Sequence, residues 1–205
     1  MNSVSQDQAV AAIREGKLLL YPTETFYALG GDALNPAAVN GIYEAKRRPY
    51  GSALPVIIGE TEQLRLLTSG GDNLALELSG AFWPGPLTIL FPALSSLPVA
   101  LSAGTGKVAV RLSSHPVATA LSCQAGRPLV SSSANLSGHP AARSASDLEP
   151  WLMLAAQGGV VLDGPEPAGG LPSTIVETVD GKVKVRRRGA VSVEALQAAG
   201  FSVFE

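Results

Sequence analysis

The chain has 205 residues, 46% hydrophobic and 16% charged, with a formal net charge of −2. That profile excludes a disordered chain. The charge balance excludes wholesale polybasic binding of nucleic acid but leaves room for a local cationic cleft. One cysteine and two histidines allow no disulfide framework, HExxH pair or cysteine-based zinc motif, so no metal-ligating residue is assigned.

In chain order, Ser5 and Gln8 form a capping-box pattern and Gly16 a stop, so residues 6–15 read as a helix. "LLLY" (18–21) reads as a buried strand ended by Pro22. Asn35 followed by Pro36 starts a helix through Val39, Ile42 and Tyr43. Pro49 requires it to end near Arg48, which puts Lys46, Arg47 and Arg48 in its last turn. Cations there complement the helix dipole or serve an anion, and both readings stay open at this point.

"PVII" (55–58) reads as a strand, and helical patterns follow at about 61–67 and 73–82. "LTILF" (87–91) and "VAVRL" (108–112) read as strands. A helix over 116–125, with Cys123 as buried filler, leads to the strand "PLVS" (128–131). Ser146 and Glu149 suggest a capping box opening a helix to about Gln157. "GVVLDG" (159–164), "TIVETV" (174–179) and "KVKVRR" (182–187) read as strands, the last two joined by a two-residue Asp180-Gly181 hairpin. Ser192 caps a closing helix ending at Gly200. The alternation predicts an α/β fold. The hairpin and short links predict a twisted mixed sheet, parallel and antiparallel, with packed helices in one domain over 1–205. No segment approaches the roughly 18 apolar residues of a membrane span, and a cytoplasmic protein is expected.

Four polar clusters fall at the ends of these elements, where α/β sheets tend to bind ligands. They are Thr23 to Thr25 in "YPTET", Lys46 to Arg48, the segment "SSSANLSG" (131–138) and "VRRRG" (185–189). In isolation the first reads as turn or capping chemistry or as part of a site, and the third as a Ser-rich turn or as a cradle that holds phosphate through N–H groups and short donors. A solvated edge strand, with Arg186 and Arg188 facing one way and Arg187 the other, explains the fourth. Arg111 is a lone cation in an apolar strand and requires an anionic partner, supplied by this protein or by a substrate. "DGPEPAGGLPS" (163–173) reads as a loop beside a site. No nucleophile elbow and no P-loop is present, so any ATP would be held by a non-standard route.

"YPTETFYALG", "KRRP", "FWPGPLTIL", "VAVRLSSHP", "PLVSSSANLSG", "PSTIV" and "RRRG" stand in the order seen in the YrdC/Sua5 family, which the chain resembles from about residue 5 to 190. The length is similar to that of the single-domain members. The resemblance implies a YrdC-like fold with a concave basic face. It also implies synthesis of threonylcarbamoyl-adenylate and pyrophosphate from L-threonine, bicarbonate and ATP with Mg²⁺. The product would pass to a tRNA-modifying transferase complex making threonylcarbamoyladenosine.

By the same resemblance, Lys46, Arg48, Ser133, Asn135, Arg143 and Arg187 would hold ATP, Lys46 and Arg48 carrying the catalytic charge. Thr23, Arg111 and Ser173 would hold threonine. The chain departs from the family pattern at Ala28, Ser52 and Ala53. The competing expectations are an RNA module contacting tRNA or double-stranded RNA through the same basic concavity, and a non-catalytic nucleotide sensor.

Overall fold

The computed structural model describes residues 2–49 and 51–204. Strand β1 (Ser3–Val4) precedes helix α1 (Gln6–Arg14), whose capping box forms as expected. The Ser5 hydroxyl accepts from the Gln8 N–H at 3.3 Å, and Gln8 Oε1 accepts from the Ser5 N–H at 2.9 Å. β2 (Leu19–Pro22) and β3 (Tyr27–Gly30) follow, joined by the turn that carries Thr23 to Thr25. Helix α2 (Pro36–Ala45) is capped by the Asn35 side chain. β4 (Val56–Ile58) leads to a 3-10 turn over Thr61–Leu66, where an α-helical pattern was expected. Next come α3 (Asn73–Phe82), β5 (Leu87–Pro92), a short α4 (Val99–Ser102), β6 (Lys107–Leu112) and α5 (Pro116–Ala125).

β7 (Leu129–Val130) and β8 (Ser132–Ser133) are separated only by Ser131. α6 (Pro150–Ala155), β9 (Val160–Val161), β10 (Thr174–Val179), β11 (Lys182–Arg187), α7 (Val193–Ala198) and β12 (Val203–Phe204) complete the order. The capping box expected at Ser146 and Glu149 falls instead on Ser144 and Asp147, around a 3-10 turn. Glu149 is drawn away from capping because its carboxylate accepts from the Leu136 N–H and lies 3.1 Å from His139 Nδ1.

The strands form two mixed sheets, in the orders β1-β9-β2-β3-β8 and β12-β11-β10-β5-β6-β4-β7. The hairpin joins β10 and β11 as expected, with positive φ at both Asp180 and Gly181. β12 covers the outer edge of β11, so "KVKVRR" is not an edge strand.

Alternation explains the burial. β2 sends Leu20 into the larger apolar cluster and Leu19 and Tyr21 into a second one under α1 and α5, so the strand reads as an unbroken apolar run. On the larger sheet, Val108 and Val110 of β6, Leu87, Ile89 and Phe91 of β5 and Val176 of β10 face the core. The intervening residues, Arg111 among them, face the opposite side. Cys123 sits on the outer side of α5 and is exposed, correcting the buried reading. The part of the side chain that is covered, then the nearby Glu60 and Glu62 charges, still push its thiol up, away from the reactive thiolate.

The two sheets meet where β7 passes into β8. A β-carbon on Gly30 would lie 1.8 Å from the Val130 carbonyl oxygen, so only glycine lets β3 approach so closely. Ser131 donates its N–H to Pro55 O at 2.8 Å, and the Ala134 N–H bonds Tyr27 O at 2.8 Å. This seam puts the serine segment beside the β2–β3 turn.

Candidate functional site

A cavity of about 240 Å³ opens at that seam, lined among others by Thr23, Arg48, Arg111, Ser131, Ser173 and Arg187. It is smaller than the roughly 300–1,000 Å³ of pockets that enclose a drug-sized ligand. The enclosed part therefore suits an amino-acid-sized molecule, and anything larger must extend through its mouth.

The end of α2 supplies the first cation group. The Arg47 N–H bonds Glu44 O at 3.1 Å and the Arg48 N–H bonds Tyr43 O at 2.9 Å, a Schellman pair in which Arg47 takes the left-handed position, φ 49°, usually held by glycine. The last helical residue is Ala45, so the three cations lie past the helix and not in its last turn. The reversal sends them apart. Lys46 turns inward, is 2% exposed, and donates its Nζ to Ser133 O with Asn135 Oδ1 at 3.5 Å. Arg47 turns outward over the Trp151 ring, 5.2 Å from its centre. Arg48 reaches the cavity and donates to Ala53 O at 3.3 Å.

Arg111 comes from the polar side of β6 and is 4% exposed. Its anionic partner is Glu24, from the β2–β3 turn; Glu24 Oε2 accepts in turn from Ser113 Oγ at 2.6 Å. The other side of the guanidinium lies 3.4 Å from Ser131 Oγ. Thr23 is held within its own turn. Its hydroxyl donates to Phe26 O at 2.7 Å and accepts from the Thr25 and Phe26 N–H groups, both at 3.3 Å.

Ser173 opens β10, and Arg187 closes β11 opposite Ile175, beyond a register shift in the ladder. Arg187 donates to Ser173 O at 2.7 Å and to Ser173 Oγ at 3.0 Å. A β-carbon on Gly189 would stand 2.2 Å from Pro172 O, which accounts for the glycine ending "VRRRG". Arg186 pairs with buried Glu177, which also holds Lys107.

Among the described residues, Lys46, Arg48 and Arg187 join no salt bridge, while Arg111 has Glu24. The protein feels this crowding. Burial, then the Arg48 charge, pulls Lys46 down to about 8 despite the opposing Glu149. Although Arg187 stays partly exposed, the burial of its guanidinium, then the charges of Arg111 and Arg48, holds it below the ordinary guanidinium range. Like charges gathered without counter-charge are destabilising, and a polyanion in the mouth would relieve them.

The cavity thus brings together Thr23, Arg48, Arg111, Ser133, Ser173 and Arg187. Lys46 and Asn135 stand directly behind Ser133, buried and off the cavity wall. Asn135 braces its own loop, donating to His139 O at 2.7 Å. Arg143 stands apart, exposed, with its guanidinium 3.4 Å from Ala168 O. It touches the 163–173 loop, which Gly169 ties to Thr25 O at 2.8 Å. Glu24, Ser113 and Thr88 carry no role that the sequence pattern alone assigns. The requirement that Arg111 find an anion, set beside the glutamate of "YPTET", was the signal available for Glu24. Among the described residues, no group of His, Cys, Asp and Glu could hold a metal ion, and no helix is long and apolar enough to cross a membrane.

Comparison with known proteins gives concordant results. The Sua5/YciO/YrdC family model, described as "Telomere recombination", matches residues 11–189. The chain is 36% identical over 189 residues to a threonylcarbamoyl-AMP synthase of Pyrococcus abyssi, covering 92% of this chain and 55% of that protein. It is 37% identical over 187 residues to the Xanthomonas euvesicatoria protein of the same name, covering 89% and 97%. The crystal structure of P. abyssi Sua5 complexed with L-threonine superposes with a TM-score of 0.85 at 34% identity, covering 98% of this chain and 60% of that one. The chain therefore spans about half the length of the archaeal relative and nearly all of the Xanthomonas one.

Proposed function

This chain belongs to the Sua5/YciO/YrdC family, and from that premise we propose that it is an enzyme, a nucleotidyltransferase that makes threonylcarbamoyl-AMP. The threonine amine bonds to the carbon of CO₂ with release of a proton, or to that of bicarbonate with loss of water, giving a carbamate. A carbamate oxygen then attacks the α-phosphorus of ATP, and pyrophosphate leaves. No protein nucleophile is needed, so positioning and electrostatics carry the acceleration.

The observation behind this reading is the set of cations without counter-charge around an amino-acid-sized cavity. Arg111, aligned by Glu24, receives the threonine carboxylate in a bidentate fork, which a lysine could not offer. Ser173 lies beside it, and Thr23 shapes the turn against which the amino acid rests. Arg48 and Arg187 at the mouth offset phosphate charge. Lys46 and Asn135 back the Ser133 segment on which the nucleotide lies, and Arg143 serves the outer end of the nucleotide from beyond the 163–173 loop.

The carboxylates present do not form a cation site, since Glu24 is already shared by Arg111 and Ser113. Among the described residues no group of His, Cys, Asp and Glu could hold a metal ion, so Mg²⁺ would be carried by the phosphates of the incoming nucleotide, where it would offset their charge. The product would pass to a transferase complex that modifies tRNA. The test is pyrophosphate release that requires threonine, bicarbonate and ATP together, with the adduct identified by mass spectrometry. Pyrophosphate formed without threonine, or no adduct, overturns the proposal.

A further inference from the structure

Thr88 is fully buried on β5, opposite Ile175 in the parallel ladder, and its hydroxyl lies 2.9 Å from Ser173 Oγ. Among the described residues this is the one hydrogen bond recorded for the Thr88 side chain, which settles its direction. A Thr88 hydroxyl that only accepted would leave its own hydrogen buried without a partner, a costly state. Thr88 therefore donates. Ser173 Oγ also accepts from the Arg187 guanidinium at 3.0 Å. A serine hydroxyl has two lone pairs and one hydrogen. With both lone pairs occupied, its hydrogen is left for the cavity that Ser173 lines.

We propose that Thr88 is a positioning residue that fixes Ser173 as a hydrogen-bond donor, so that this point of the cavity accepts an anionic oxygen of the amino-acid substrate, its carboxylate or carbamate, and rejects a donor group there. The inference rests on the proposed synthesis and names which polarity recognises the amino acid. Thr23 supplies the contrast, since its hydrogen goes to Phe26 O and is unavailable to a ligand.

The test uses Thr88→Val, which keeps the shape and removes the hydroxyl, Thr88→Ser, which restores it, and Ser173→Ala. Threonine-dependent pyrophosphate release is measured with each full-length protein. Ser173→Ala is expected to raise KM for threonine about tenfold, the loss of one charge-assisted bond. Thr88→Val, which unlocks that donor without removing it, is expected to raise it about threefold, while its KM for ATP stays within about twofold. Thr88→Ser is expected to recover the wild-type KM. In the Ser173→Ala background, Thr88→Val is expected to add nothing further. A wild-type KM for threonine in Thr88→Val, equal rises for both substrates, or full additivity with Ser173→Ala each overturn the inference. An inactive wild-type protein refutes the proposed synthesis instead, so the two failures read differently.

Discussion

Replacing Lys46 by methionine should make the unliganded protein more stable and a poorer nucleotide binder. In the free protein Lys46 is 2% exposed, meets only neutral oxygens at hydrogen-bonding distance, and falls from 10.5 to about 8. At about 1.36 kcal/mol per pH unit, keeping that ammonium charged near pH 7 costs about 3 kcal/mol. Methionine keeps the unbranched stem but strips Ser133 O of its donor, returning about 1–2 kcal/mol of the gain. The net is about 1–2 kcal/mol, a rise in Tm of roughly 2–8 °C for a chain of this size.

The pH dependence carries its own sign. Between about pH 8 and 10.5 the unfolded chain holds a proton that the folded chain has released, so wild-type stability should climb across that window. The methionine variant should lack that climb. ATP affinity should move the opposite way, falling by about 2–5 kcal/mol, from roughly thirtyfold to a few thousandfold. In the wild type it should also weaken as pH rises through about 8, because the phosphates favour the charged lysine. Urea denaturation at pH 7 and 9.5 and titration calorimetry with ATP read all of these. A variant less stable than wild type at pH 7, with ATP affinity unchanged, refutes the reasoning and makes Lys46 a structural anchor.

Arg48→Ala should lower the rate of pyrophosphate release by at least about thirtyfold, whereas Arg47→Ala, which removes only the outward contact with Trp151, should stay within about threefold; comparable losses in a steady-state assay would contradict the division made by the reversal at Arg47. Glu24→Gln should destabilise the free protein by about 3 kcal/mol by leaving Arg111 buried without its anion, and added phosphate should restore part of the lost Tm. Gly30→Ala should cost about 3 kcal/mol through overlap with the Val130 carbonyl, seen as a lowered urea midpoint; a wild-type midpoint would mean that the seam between the sheets yields.

What could be read in advance follows from the range of the forces involved. Short-range signals such as the Ser5–Gln8 box, Asn35-Pro36 and Asp180-Gly181 act within a few residues and appear where expected. The two-residue strands β1, β8 and β12 exist only because a distant partner offers hydrogen bonds, so no local pattern announces them. The cations after α2 were legible as a group, and the family pattern already left Arg47 out of the assigned pair. The backbone reversal that separates them was not legible, because it depends on a left-handed arginine, which propensity disfavours and the surrounding contacts enforce.

The site shows the same division more sharply. Arg111 declared by its apolar neighbours that it needed an anion, but two candidates fitted: a carboxylate of the chain and one of a substrate. The structure answers with Glu24, and that answer does not remove the second candidate. A guanidinium has five donors in a planar fork, and a single carboxylate engages one edge of it. In the free protein Glu24 and Ser131 hold the fork in place, and Arg111 still forms part of the cavity wall. An internal ion pair at this position is thus compatible with substrate binding. It keeps a buried cation tolerable while the site is empty and keeps its orientation fixed for when the site fills. Lys46 joins no salt bridge among the described residues and, of the carboxylates, feels only the opposing charge of Glu149 from a distance, so burial draws its proton affinity down. The two cations represent different solutions to one problem, holding positive charge ready for an anion that is present only part of the time. One is neutralised from behind, and the other is left close to giving up its proton.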